Sequence, residues 1–230
     1  MKKKRKMYLC FTAVVLSLLM GIGVQAATNP FGKIPVSATK NIVSSLAWIG
    51  PDYVTPRYSQ KIKMKVTSSN KKVADVKVFD CPKDEYNNGW AKSFGVRRKG
   101  YGTTYIKATV TVGKKTYKKT FKYTFYKYKN PFSEFKINGK KYTSKLNKMT
   151  IKKSDGAWYY GKPIRLGEKT GKLSYKLKKG YKITDIWIHN ESTSKMKKIK
   201  NNQKIPKGYK LLYIYFMDTK TKAKGCITFI

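Results

Sequence analysis

Residues 116–129 read TYKKTFKYTFYKYK. Phe121, Tyr123 and Phe125 share one parity; Lys118, Thr120, Lys122 and Thr124 share the other. Period two with aromatic and β-branched enrichment predicts a half-buried strand, aromatics inward and lysines in water. A base-stacking, phosphate-neutralising surface is the competing reading. It does not require alternation, and the strand does. Tyr126 and Tyr128 fall on the opposite parity to the inward aromatics. Their place is solvent or contact with a second module.

The same grammar runs outward in both directions. Upstream, Ile62, Met64 and Val66 alternate with lysines, and Ile106, Ala108, Val110 and Val112 stand in register before the Gly113-Lys114-Lys115 turn. Downstream, Leu173, Tyr175 and Leu177 alternate with Lys172, Ser174, Lys176 and Lys178. Lys179-Gly180 turns, Tyr181 to His189 returns, Leu211 to Met217 is apolar on both parities and reads as a central strand, and Cys226 to Ile230 closes. No long segment has helical period; residues 39–48 have room for one short helical turn.

The chain of 230 residues carries 52 Lys and Arg against 11 Asp and Glu, a net charge of +41. Residues 1–26 read as a signal peptide: five cations among the first six residues, an apolar run to Val24, and small residues Val24 and Ala26 before the cleavage point. The mature chain then keeps a net charge of +36. No second long apolar segment follows, so no span after cleavage is expected, and no sortase-type tail follows Phe229-Ile230. Aromatics at 14% argue against a disordered basic tail. The cations are almost all lysine, a hydrated point charge, where arginine would supply the planar fork that reads phosphate and guanine. Such a surface makes a diffuse field.

Asn29-Pro30-Phe31 recurs as Asn130-Pro131-Phe132. The spacing fits one sandwich domain and sets the expected organisation: 1–26 signal peptide, 27–129 first β-sandwich, 130–230 second β-sandwich-like domain. The fold class is all-β, two tandem Ig-like sandwiches.

The first module resembles the bacterial Ig-like domain, group 2, over roughly residues 33–128. Ser68-Ser69-Asn70, Val73-Ala74-Asp75-Val76 and Gly100-Tyr101-Gly102-Thr103-Thr104-Tyr105-Ile106-Lys107-Ala108 carry the resemblance. It implies a stalk, spacer or adhesive module at a cell surface and no catalysis. One departure is a longer, locally acidic loop, Phe79 to Trp90, where the family has a short hairpin. That loop is a candidate contact site.

Chemistry-bearing patterns are thin. Ser68-Ser69-Asn70-Lys71, Ser154-Asp155-Gly156 and Lys169-Thr170-Gly171 mimic the S-x-x-K, S-D-N and K-T-G series of penicillin-binding proteins. That chemistry needs the serine at the head of a buried helix, and Ser68 precedes a strand. His189 is the lone histidine, set beside Trp187 in a strand. One histidine with Cys81 and Cys226 makes no zinc site of ordinary spacing, and those two thiols read as separate and partly buried. The scattered carboxylates form neither a glycosidase pair nor a calcium cage. No enzyme, cofactor or metal is therefore expected.

Two binding surfaces remain. Lys118, Lys122, Lys172, Lys176 and Lys178 on outer strand faces are candidates for polyanions such as anionic wall polymers. Trp90, Trp158, Tyr159 and Tyr160, near Gly89, Gly156 and Gly161, are candidates for a glycan platform, with capping of the cores as the plainer role. The expected function is a secreted, cationic, non-enzymatic protein held at a Gram-positive-like cell envelope by charge, serving a structural or adhesive role. The alternative is a carbohydrate-binding or adhesin module using the loop aromatics. Specific nucleic-acid binding ranks below both.

Overall fold

The computed structural model describes residues 29–31, 39–43, 53–81, 89–148 and 171–229. The signal-peptide reading and the Ser154–Thr170 motifs lie outside them. The first run of strands is β1 (Thr39–Val43), β2 (Tyr53–Val54), β3 (Ile62–Ser68), β4 (Ala74–Cys81), β5 (Ala91–Arg98), β6 (Gly102–Val112) and β7 (Lys115–Tyr126). The second is β8 (Phe132–Ile137), β9 (Lys140–Lys141), β10 (Gly171–Leu177), β11 (Tyr181–Asn190), β12 (Lys195–Lys198), β13 (Lys204–Ile205), β14 (Leu211–Asp218) and β15 (Lys224–Phe229). One short helix, α1 (Thr143–Asn147), sits between β9 and β10. The protein is mostly β, as its period-two patterns require.

These strands do not form two free-standing modules. One eight-stranded sheet runs β12-β11-β14-β15-β1-β7-β6-β3 through both halves of the chain. A three-stranded sheet, β2-β5-β4, packs on the first half, and a four-stranded sheet, β13-β10-β8-β9, belongs to the second. The joint is β1. It pairs in parallel with β7 along its whole length, Thr39 opposite Lys122 to Val43 opposite Tyr126, and with β15 at Ile42 and Lys224. The short helical turn read into residues 39–48 is corrected over 39–43. Three β-branched residues stand there, and a strand slot between two others satisfies the backbone on both sides.

Two hydrophobic cores flank this joint. Phe31, Tyr53, Phe94, Ile106, Phe121 and Tyr123 lie in one. Phe132, Phe135, Leu146, Leu173, Phe216 and Phe229 lie in the other. Ile42 packs against the first and Val43 belongs to the second. Consecutive residues on a strand point to opposite faces. The two cores therefore occupy opposite faces of the shared sheet, and among the described residues each half of that sheet is packed on one face. Tyr126 and Tyr128, of the parity opposite Phe125, pack on the second core.

The repeated tripeptide has the same local structure twice. Phe31 N–H donates to Asn29 Oδ1 and Phe132 N–H to Asn130 Oδ1, each at 3.0 Å. Each turn delivers its phenylalanine into one of the two cores. The buried Asn130 also donates through Nδ2 to Asn147 Oδ1 at 2.8 Å, tying the turn to the end of α1. Nothing in the sequence pattern indicated α1. It is held by Leu146, fully buried, and by Tyr142 at its start.

The long acidic loop read from Phe79 to Trp90 is shortened at its start by strand. Phe79, Asp80 and Cys81 continue β4, opposite Ser93, Lys92 and Ala91 of β5, and Asp80 pairs with Lys92. Only 82–88 falls outside the described residues.

Candidate binding faces

Lys118 and Lys122 stand on the open face of the first half of the shared sheet. Their strand-mates at 121, 123 and 125 are at most 3% exposed, which commits the lysines to the other side. β6 and β3 add Lys107, Lys63 and Lys65 to the same face. The register staggers them: Lys118 lies opposite Thr109, Lys122 opposite Tyr105, Lys107 opposite Thr120 and Thr67, Lys63 opposite Thr111, and Lys65 opposite Thr109. No lysine of this face directly opposes another, which relieves the repulsion that like charges suffer across a ladder. Threonine hydroxyls fill the gaps and pair with one another, Thr103 with Thr124 at 3.0 Å and Thr111 with Thr116 at 3.1 Å. None of β3, β6 and β7 contains Asp or Glu. Ammonium and hydroxyl donors therefore cover this face with no carboxylate of its own strands to answer them.

Lys172, Lys176 and Lys178 are brought to a different place, on and just after β10 in the four-stranded sheet, all exposed. The five lysines thus form two groups. The second group is less free. Lys176 lies opposite Glu134. The Glu134 carboxyl is held below the usual carboxylate range, first by a hydrogen bond from Lys136 and then by the charges of Lys136, Lys176 and Lys141. Lys172 lies directly opposite Lys204, a like-charge pair that an anion would relieve.

Among the glycan candidates, Trp158, Tyr159 and Tyr160 lie outside the described residues. Trp90 is half-buried and pinned by its backbone, its N–H donating to Tyr58 O at 2.7 Å and its carbonyl accepting from Tyr58 N–H at 2.9 Å. Lys61 Nζ stands 5.5 Å from its ring centroid. Its bridge partner Tyr58 is buried. Trp90 is therefore tied by its backbone to Tyr58 of the first core, and no other glycan candidate lies among the described residues beside it.

A second open face escaped the sequence reading. It is the side of the second half of the shared sheet that no other sheet covers among the described residues, opposite the core that takes Ile186, Ile188, Leu212, Ile214 and Phe216. The alternate residues of the same strands, Trp187 and His189 on β11 and Leu211, Tyr213 and Tyr215 on β14, belong to neither core. Trp187 lies opposite Tyr213, and Tyr215 lies opposite Asp185 and Cys226. Tyr215 is 41% exposed. Partial burial and the neighbouring Cys226 push its phenol above the ordinary value. Lys198 pairs with Asp185 and holds its Nζ 5.9 Å from the Trp187 ring centroid. The signal was present: both tyrosines of 211–217 have one parity, and Trp187 shares a parity with the lone histidine.

The remaining chemistry-bearing residues have structural partners. Ser68 Oγ lies 2.9 Å from Thr104 Oγ1 and accepts from Asn70 N–H, in a turn that leads into β4. Cys81 and Cys226 are free thiols in different sheets. Burial pushes the Cys226 thiol up to about 11. Among the described residues no group of three His, Cys, Asp or Glu side chains is placed to hold a metal ion, and no helix is long and apolar enough to cross a membrane.

No family model matches the chain, and no curated protein matches it. Among solved structures it is similar to domains 5–6 of the S-layer protein SbsC, at 11% identity, over 84% of this chain and 94% of that one. The TM-score is 0.24, a superposition too loose to carry any statement about this chain.

Proposed function

We propose that this is a secreted, non-enzymatic protein of the cell envelope, held to anionic wall polymers by charge and serving as a structural or adhesive module. The observation that carries the reading is the acid-free lysine and threonine lattice on β3, β6 and β7. Cations answered by no carboxylate on their own strands leave a local field that a polyanion neutralises, releasing its counterions. Lys118 and Lys122 sit within that lattice together with Lys63, Lys65 and Lys107; Lys172, Lys176 and Lys178 form an auxiliary patch. The mature chain's net charge of +36 adds long-range attraction to any anionic surface.

The strand order of the first half supports the structural role. In chain order its seven strands divide into β2-β5-β4 on one side and β1-β7-β6-β3 on the other, with the first strand parallel to the last. That order is the one expected of an immunoglobulin-like sandwich with its first strand moved to the second sheet, and it supports the Ig-like reading. A sheet shared through β1 suits a module that spans or spaces.

Co-sedimentation of the chain from residue 27 onward with purified Gram-positive walls, with and without teichoic acid and across a salt series, tests the reading. Retention should require the teichoic acid and collapse as salt rises. Retention on stripped walls that is indifferent to salt would refute it.

A further inference from the structure

We propose that the open face of β11 and β14 is a stacking platform for an uncharged polysaccharide chain, separate from the lysine lattice and on the opposite face of the shared sheet. Three aromatic side chains meet there. Trp187 and Tyr213 are cross-strand neighbours, with Cβ atoms roughly 5 Å apart. Tyr215 follows Tyr213 by one strand repeat, roughly 7 Å further along. Paired strands hold the three side by side on one face, whereas loop aromatics must be ordered on binding.

Charge decides what that plane fits. In a mature chain of net charge +36, the centre of this face is charge-balanced: Lys198 answers Asp185 directly beside Tyr215 and Trp187. A carboxylate among aromatic rings accepts hydrogen bonds from sugar hydroxyls, while the apolar C–H faces of sugar rings lie on the aromatics. Lys198, beside the rings, is already paired with Asp185, and no arginine stands on β11, β12, β14 or β15 to recruit a phosphodiester backbone. A second copy of the chain is disfavoured by the mutual repulsion of two strongly cationic bodies. None of the three belongs to either core.

The test is retention of the full mature chain on insoluble chitin, cellulose and teichoic-acid-free peptidoglycan, at salt high enough to screen charge-held binding. Trp187→Ala and Tyr215→Ala are compared with Tyr101→Ala, an exposed aromatic elsewhere. Matched thermal melts show that each variant folds, and intrinsic fluorescence of wild type and Trp187→Phe reports ring contact. Expected is salt-resistant binding to at least one polysaccharide, weakened about tenfold by either platform substitution and unchanged in Tyr101→Ala. Sugar should shift the emission of wild type and not of Trp187→Phe. Three results overturn the assignment: no salt-resistant binding to any of the three, binding indifferent to both platform substitutions, or Trp187-dependent binding of oligothymidylate or self-association in its place. Loss of the low-salt, teichoic-acid-dependent retention would instead bear on the lysine lattice alone.

Discussion

Two adjacent residues of β1 should destabilise two different halves of the molecule. Val43 is 5% exposed and lies in the core of the second half, far from it in sequence. Val43→Ala removes two carbons from that core, about 2 kcal/mol once the residual cavity is included. At about 1.4 kcal/mol per tenfold, opening of the second half becomes about thirtyfold more frequent. Ile42 faces the other way and is half-buried against the first core. Ile42→Ala should cost about 1 kcal/mol there, about a fivefold change. Native-state amide hydrogen exchange reads both at once. Val43→Ala should speed exchange in β14 and β15 more than in β4 and β5, and Ile42→Ala should do the reverse. If both variants weaken the same half, or Val43→Ala leaves β14 and β15 protected, the placement of the cores on opposite faces is wrong.

Replacing Lys107, Lys118 and Lys122 with serine should weaken retention on teichoic acid and flatten the dependence of log affinity on log salt by about one unit per lysine; affinity chromatography across a salt gradient measures both. Gly225→Ala should cost about 1–3 kcal/mol by chemical denaturation, because its Cβ would come 2.5 Å from Phe216 Cζ in a ring that is fully buried. Asn130→Ala should cost about 1–3 kcal/mol, leaving the Phe132 amide without its side-chain acceptor in a buried turn, with loss of α1 helicity as a second readout. Cys226 should stay unmodified by iodoacetamide at neutral pH and gain reactivity only as pH climbs toward about 11, where its thiolate forms; peptide mapping after alkylation follows it.

Much of the fold was legible in the chain. The alternation in TYKKTFKYTFYKYK places Phe121, Tyr123 and Phe125 in a core and Lys118 and Lys122 in water, and both hold. The repeated Asn-Pro-Phe marks two turns that enter two cores. Alternation is a local property of an extended backbone, so a single chain segment carries it.

Tertiary structure alone decided the rest. Residues 39–43 became a parallel strand because slots beside β7 and β15 were open, and those partners lie far along the chain. The apolar run 211–217 is central in its sheet, as its composition indicated, yet one of its faces has no covering sheet among the described residues. Period two states which residues share a face. It does not state which face receives a second sheet, because covering depends on packing between segments remote in sequence. The lysine lattice and the aromatic platform both follow from that choice.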